Sequence, residues 1–311
     1  MELHGKAIPS CMIGTWAWGA GMNGSKMVFG RSYSEQQLAE TFEAAYKAGF
    51  YLWDTAEVYG MGNAERMLKK FVKGKSNIII STKHQPGKKY KDGEVTRAIN
   101  GSLERLGINS IDLYWLHLPI EIQKNMIEMA VCVKKGIIKN IGISNCNIEQ
   151  IKEANNVLKK HGLKLAAVQN HYSLLTMDRQ QEVLEYCKAN NILFFGYMIL
   201  EQGALSGHYD EKHRFPLFSM RGMTFGKKKF HKIQKLIDYE RFLAEKYDVD
   251  VSQIPIAWSL AKGVIPIVGL TKPHHALSLA DSMNVKLQLE EMKQLEDLAH
   301  ESGVICKGIW E

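Results

Sequence analysis

The chain has little of what marks several large protein classes. Of its 311 residues only seven are proline and five are cysteine. No stretch rich in proline, or in glycine and serine, interrupts it, so no linker is visible and one domain over residues 1–311 is expected. The cysteines, Cys11, Cys132, Cys146, Cys187 and Cys306, are odd in number and no two have CxxC spacing. That pattern excludes a disulfide framework and a cysteine zinc site, and predicts reduced thiols in a cytoplasmic protein. The first ten residues lack the apolar core of a secretory signal, and no apolar run reaches the length of a membrane span. No long basic run or aromatic-basic stripe marks a nucleic-acid groove. The formal charge of +7 is scattered, which favours solubility and leaves room for an anionic ligand.

What is present is a regular alternation of short apolar runs and longer amphipathic ones. Strands are predicted at residues 12–15, 50–54, 77–82, 111–117, 137–144, 165–170, 192–197 and 263–268. Helices are predicted between them, for example over 34–48, where Ser34 caps and Gly49 terminates, and over 93–106, ended by Gly107. A long loop over 207–226 precedes helices at 228–246 and 252–262, and two more helices follow the last strand. Apolar strands alternating with helices require a parallel sheet covered on both faces. Eight such units in about 300 residues predict an α/β fold, a (β/α)8 TIM barrel with extra C-terminal helices and long loops at its C-terminal face. An open doubly wound sheet is the alternative.

In such barrels the chemistry sits at the C-terminal ends of the strands. Polar residues occupy those positions repeatedly here: Asp54, Lys83, His117, Ser144 with Asn145, Gln169 with Asn170, and Tyr197. Core packing does not explain titratable groups at consecutive strand ends. Asp54-Thr-Ala-Glu-Val-Tyr59-Gly60, Ser-Thr-Lys83, Tyr-Trp-Leu-His117, Gly142-Ile-Ser144-Asn145, Gln169, Tyr197 and Ile265-Pro-Ile-Val-Gly269 follow in an order that resembles the aldo-keto reductase family. The resemblance runs from about Gly14 to Leu298.

The resemblance implies a catalytic tetrad of Asp54, Tyr59, Lys83 and His117. Reducing a carbonyl needs a hydride on carbon and a proton on oxygen. A tyrosine can give the proton, and a neighbouring Lys83 ammonium is expected to lower its pKa from about 10. Asp54 would hold Lys83, and His117 would hydrogen-bond the carbonyl oxygen. By the same resemblance Ser144, Asn145 and Gln169 would hold a nicotinamide carboxamide, with Tyr197 stacked on its ring. Leu200, Gln202, Gly203 and Leu205 would pass the pyrophosphate, where glycines let backbone amides approach. Gly14, Thr15 and Trp16 would lie by the nicotinamide ribose.

The adenosine end departs from the family pattern. By the resemblance Gly269 would be a further cofactor-binding residue and Thr271 and Lys272 would bind a 2′-phosphate, but His275 stands roughly where the family often has arginine. Ser278 and Leu279 replace its usual acid and asparagine. NADP(H) is expected, with NAD possible, because Lys272 remains and no nearby acid is seen to repel the phosphate. Gly19-Ala-Gly21-Met-Asn-Gly24 fits GxGxxG but is read as a mouth loop, since no helix is expected directly after it.

The expected activity is NADP(H)-dependent reduction of a small-molecule aldehyde or ketone, with no metal, no nucleic-acid or membrane partner, and a monomer as the default. Trp16, Trp18, Tyr59 and Trp115 are candidates to line the pocket mouth, and residues 18–32, 208–226 and 302–311 to close over it. Arg214, Arg221 and Lys227 leave an anionic substrate open. Two other readings compete. Family relatives that serve as potassium-channel β-subunits suggest a nicotinamide-binding regulatory subunit. A hydrolase would need paired carboxylates facing across a cleft, whereas Asp54 and Glu57 are close in sequence and sit on one loop.

Overall fold

A computed structural model describes residues 2–3, 5–210, 212–216 and 218–307. Eight strands close into a parallel barrel. They are β1 (Met12–Gly14), β2 (Leu52–Asp54), β3 (Ile79–His84), β4 (Leu113–Leu116), β5 (Ile141–Ser144), β6 (Ala167–His171), β7 (Leu193–Tyr197) and β8 (Ile265–Gly269). Each pairs with the next, and β8 returns to β1 with Ile267 opposite Met12 and Gly269 opposite Gly14. That last pairing excludes the open sheet.

The predicted helices are present with bounds shifted by one or two residues. Ser34 caps Glu35–Lys47 by accepting from the Gln37 amide at 3.2 Å. Asn147 and Gln150 form a reciprocal capping box at the start of Ile148–Lys160. The fifth strand begins four residues later than expected. Ile137 and Ile138 are apolar, but that stretch makes only an isolated bridge, Ile138 to Ile111, before the ladder starts at Ile141.

The period-2 alternation of each strand decides what enters the barrel. Met12, Leu52, Ile79, Leu113, Trp115, Ala167, Phe195, Ile265 and Ile267 form the interior cluster. Their neighbours Ile13, Trp53, Ile80, Tyr114, Val168 and Phe194 pack outward against the helices. Phe42 of Glu35–Lys47, for example, stacks on Trp53 at 4.5 Å, and burying such a ring contributes about 1.5–3 kcal/mol. Continuing the same parity upward brings Asp54, Ser81, Lys83, Ser144, Gln169 and Tyr197 inward. The apolar interior is thus a floor, and the polar residues lie on top of it.

Trp115 is part of that floor. It is fully buried, donates its indole N–H to Ser81 Oγ and meets Phe195 edge-on. A Cβ on Gly142 would lie 2.2 Å from its ring, so glycine at that position makes the room. Trp115 does share its direction with His117, as expected, but one layer too deep to line the mouth. Trp18 is also displaced from its expected place. It packs outside the barrel on Trp53 and Phe71 and donates to the Leu270 carbonyl at 2.7 Å.

Three small elements lacked a sequence signal. A hairpin, Glu2–Leu3 with Lys6–Ala7, carries Leu3 into the interior cluster, joined there by Ile8. Short helices at Ser25–Phe29 and Met220–Thr224 pack on each other within the loops after β1 and β7. Residues 302–307 were expected over the site. They instead pack beside helix Met177–Ala189, where Arg179 donates to the Cys306 carbonyl, and they do not line the cavity. Residues 308–311 of that expected lid lie outside the described residues. Among the described residues no helix is long and apolar enough to cross a membrane.

Candidate active site

A cavity of about 740 Å³ opens at the C-terminal face. Its inner end is made by Asp54, Tyr59, His117, Ser144, Asn145 and Gln169. Lys83 is completely buried behind them, its ammonium paired with Asp54 Oδ2 and donating to the Thr55 carbonyl at 2.8 Å. Asp54 Oδ1 accepts from Ser81 Oγ at 2.7 Å and from Gln169 Nε2 at 3.3 Å. The carboxylate therefore joins β2, β3 and β6 across the barrel.

Tyr59 follows β2 on a tight loop. Its ring centroid lies 5.1 Å from Lys83 Nζ and 6.1 Å from the His117 ring, which it meets edge-on. Trp16 stacks on its other side at 5.6 Å. The loop is fixed by backbone contact with the glycine-rich segment after β1: a Cβ on Gly19 would lie 2.9 Å from the Tyr59 carbonyl, and one on Gly60 2.5 Å from the Ala20 carbonyl. The GxGxxG lookalike thus buttresses the tyrosine loop. Contrary to expectation a helix does open directly after it, but Ser25–Phe29 is a single turn and a half, bonded back by Ser25 N to the Gly19 carbonyl.

Electrostatics at the inner end differ from the expectation in one respect. Burial pushes the Tyr59 phenol well above its ordinary value, with Asp54 and then Tyr197 adding to the shift. The expected net lowering by Lys83 is absent because burial of the phenol dominates and Asp54 adds to it. Burial lowers the Lys83 pKa, opposed by Asp54. His117 is held neutral: burial, then Lys83, then His84, push it well below the usual imidazole range. The inner end thus presents a protonated phenol and a neutral imidazole.

The residues expected to hold the nicotinamide form one connected group. Tyr197 donates to Asn145 Oδ1 at 2.5 Å, and Asn145 Nδ2 donates to the His117 carbonyl at 2.9 Å. Ser144 Oγ donates to the Gln169 carbonyl at 2.7 Å. Tyr197 is backed by His171, stacked at 5.5 Å and held by Glu201 at 2.8 Å. Farther along the cavity come Leu200, Gln202 and Gly203, then Gly269, Thr271, Lys272 and His275. Gly14 and Trp16 line it as well, whereas Thr15 and Leu205 are buried outside the lining. The Thr15 hydroxyl is taken by the Asp54 carbonyl at 2.9 Å.

The loops expected over the mouth supply part of the lining, Arg221 among it, whereas Tyr33 and Asp250 had no sequence signal. Phe29, Arg31 and Tyr33 arrive from the segment after β1, and Tyr209 and Arg221 from that after β7. Arg221 is buried, with its guanidinium carbon 4.6 Å from the Phe215 ring centroid. It donates to the Gln202 carbonyl at 3.2 Å, while its Nε finds no acceptor among the described residues. Asp250 also lines the cavity. Glu57 does not; it accepts from the Gln85 amide at 2.8 Å and lies 2.9 Å from His84, so Asp54 and Glu57 do not face each other across the cleft. Among the described residues no group of three or more His, Cys, Asp or Glu side chains could hold a metal ion.

A closed barrel with a Tyr, Lys, His and Asp gathered at its C-terminal mouth defines a class, and comparison with known proteins agrees with it. Residues 11–300 match the Aldo/keto reductase family, a family of oxidoreductases, and the chain belongs to it. It is 29% identical to the chloroplastic pyridoxal reductase of Arabidopsis thaliana over 93% of this chain and 83% of that protein. It is also 29% identical to the NADP(+) aldo-keto reductase yakc of Schizosaccharomyces pombe, over 96% of this chain and 94% of that one. Among solved structures, the glycerol dehydrogenase of Gluconobacter oxydans superposes with a TM-score of 0.81 at 27% identity, covering 94% of this chain and 91% of that one.

Proposed function

We propose that the protein is an NADP(H)-dependent reductase of small aldehydes or ketones, with Tyr59 as the proton donor. One observation carries this reading. The tetrad converges at one end of a cavity of about 740 Å³ whose other end holds Lys272 and His275. The length of that cavity and the Lys272 ammonium suit a long anionic nucleotide. The Arg221 Nε without an acceptor, beside the Gln202–Gly203 backbone, supplies a buried cationic donor where a pyrophosphate would need one. The relative yakc carries NADP(+) in its name, which agrees with that choice.

When bound, the reduced nicotinamide supplies the hydride. Ser144, Asn145 and Gln169 would hold the carboxamide, and Tyr197 would press one ring face inward so that the other meets the carbonyl carbon. A neutral His117 can donate to the carbonyl oxygen. The phenol of Tyr59 keeps its proton at neutral pH because burial disfavours the phenolate. It releases that proton only as negative charge develops on the substrate oxygen, which is then the stronger base. Lys83 stabilises the tyrosinate left behind, and Asp54 anchors Lys83. Trp16, Phe29 and Tyr33 give the substrate end an apolar wall.

The test is NADPH oxidation, followed by absorbance, with a panel of aldehydes, ketones and a quinone. Tyr59→Phe is expected to lose about 10²- to 10⁴-fold in kcat while binding NADPH as the parent does. Full activity in that variant would remove Tyr59 from the mechanism. Tight NADPH binding without oxidation of any panel member would favour a regulatory subunit instead.

A further inference from the structure

The adenosine end of the cavity holds a carboxylate that the local sequence around Lys272 does not contain. Asp250 lies in the turn before helix Gln253–Ala261, some twenty residues upstream of Lys272, yet it lines the same cavity. The turn is wedged between two parts of the expected nucleotide track. On one side Val251 touches the end of the pyrophosphate loop, where a Cβ on Gly207 would lie 2.7 Å from its side chain. On the other, Gln253 donates to Ser278 Oγ at 3.0 Å, tying the turn to helix Pro273–Ser282, which carries His275. A ribose that joined a pyrophosphate at residues 202–207 to an adenine near Ser278 would have to pass Asp250.

The charges at this end nearly cancel. Lys272 contributes one positive charge. His275 contributes none near neutrality, since burial first, then His274 and Lys272, push it down to about 4, with Asp250 opposing. Asp250 contributes one negative charge. A 2′-phosphate carries one to two negative charges and would face this carboxylate, whereas ribose hydroxyls would find in it an acceptor. We infer that Asp250 is a specificity-determining residue that weakens the hold on the 2′-phosphate and favours a free ribose. It thereby sets how far the protein discriminates NADPH from NADH. This inference rests on the nucleotide site proposed above.

Calorimetric titration of the full chain with NADPH and with NADH, at low and moderate salt, tests it without reference to turnover. Asp250→Asn is expected to bind NADPH about five- to tenfold more tightly at low salt, with a smaller gain as salt screens the charge. NADH affinity should stay the same or fall. Asp250→Glu, which keeps the charge, should leave the ratio near that of the parent. Should Asp250→Asn fail to fold, Asp250→Ser removes the same charge with a side chain suited to a turn. An unchanged NADPH-to-NADH ratio in the neutral variants, with both nucleotides still binding, would overturn the inference and leave the proposed function intact. Failure of the parent to bind either nucleotide would overturn both.

Discussion

Replacing Lys83 by methionine probes the centre of the site and the barrel together. The side chain is fully buried, and that of its partner Asp54 is only 3% exposed. Methionine preserves most of the volume, so the change is chiefly one of charge. The carboxylate would keep Ser81 Oγ at 2.7 Å and Gln169 Nε2 at 3.3 Å but lose the ammonium paired with it. Breaking a buried ion pair from one side costs about 3–5 kcal/mol, because the remaining charge is left without compensation. Two neutral donors persist, so the lower half of that range is expected here. Asp54→Asn removes the charge that suffers, so the double variant Lys83→Met/Asp54→Asn should cost less than the two singles combined, by about 2 kcal/mol. Urea unfolding followed by tryptophan fluorescence and far-UV circular dichroism gives the four stabilities. If Lys83→Met lost under about 1 kcal/mol, or the two changes were additive, the pair would not be the electrostatic unit described here. The same variants should lose carbonyl reduction, and the double variant should not regain it, which separates folding from chemistry.

Two further outcomes follow from packing and burial. Gly142→Ala would set a methyl group 2.2 Å from the Trp115 ring. It should cost about 1–3 kcal/mol through overpacking of the barrel floor, read as a lower urea midpoint, and Trp115→Phe should recover part of the loss. Glu240 is fully buried on helix Lys227–Tyr247 with neither carboxylate oxygen bonded among the described residues, and burial raises its pKa well above the carboxylate range. Its folded-state pKa lies above the unfolded one, so the native state holds the proton longer. The parent therefore loses stability as pH rises above about 4.5, by up to roughly 1.4 kcal/mol per pH unit, until the folded pKa is reached. Glu240→Gln should be more stable at neutral pH, with an advantage that shrinks towards pH 4. Equal pH profiles for the two proteins would contradict this.

The barrel and its polar rim were legible in the sequence for a simple reason. Strand spacing, helix caps such as Ser34 and Asn147, and strand-terminal residues such as Asp54 and His117 are local signals, and closure brings all strand ends to one place. Depth within the barrel is not local. Nothing in Tyr-Trp-Leu-His tells that Trp115 lies in the floor while His117 reaches the cavity, nor that Trp18 turns outward to Leu270. Contacts between distant loops were less legible: Arg221 was a candidate only as a basic residue of a covering loop, and Asp250 left no signal, since it joins the site only because residues 250–252 pack against it. The direction of the Tyr59 shift is not local either: a lysine beside a tyrosine suggests a lowered pKa, whereas burial of the phenol raises it and Asp54 adds to the rise. The Ser25–Phe29 helix is too short to leave a periodicity.

The in-and-out alternation of the barrel strands limits how the chain can change length. Deleting one residue within β3 ahead of Lys83 would turn that ammonium towards the helices and bring Thr82 or His84 to face Asp54, unless the strand slipped along both neighbours at once. The same holds for Ser144 on β5 and Gln169 on β6. Insertions after Tyr197, or after Gly14 beyond the segment that holds the Tyr59 loop, leave the register unchanged, since those residues are outside the ladder. A protein built this way can lengthen, shorten or exchange the outer walls of its pocket while Asp54, Lys83, Ser144 and Gln169 stay fixed to the residue by the strands that carry them.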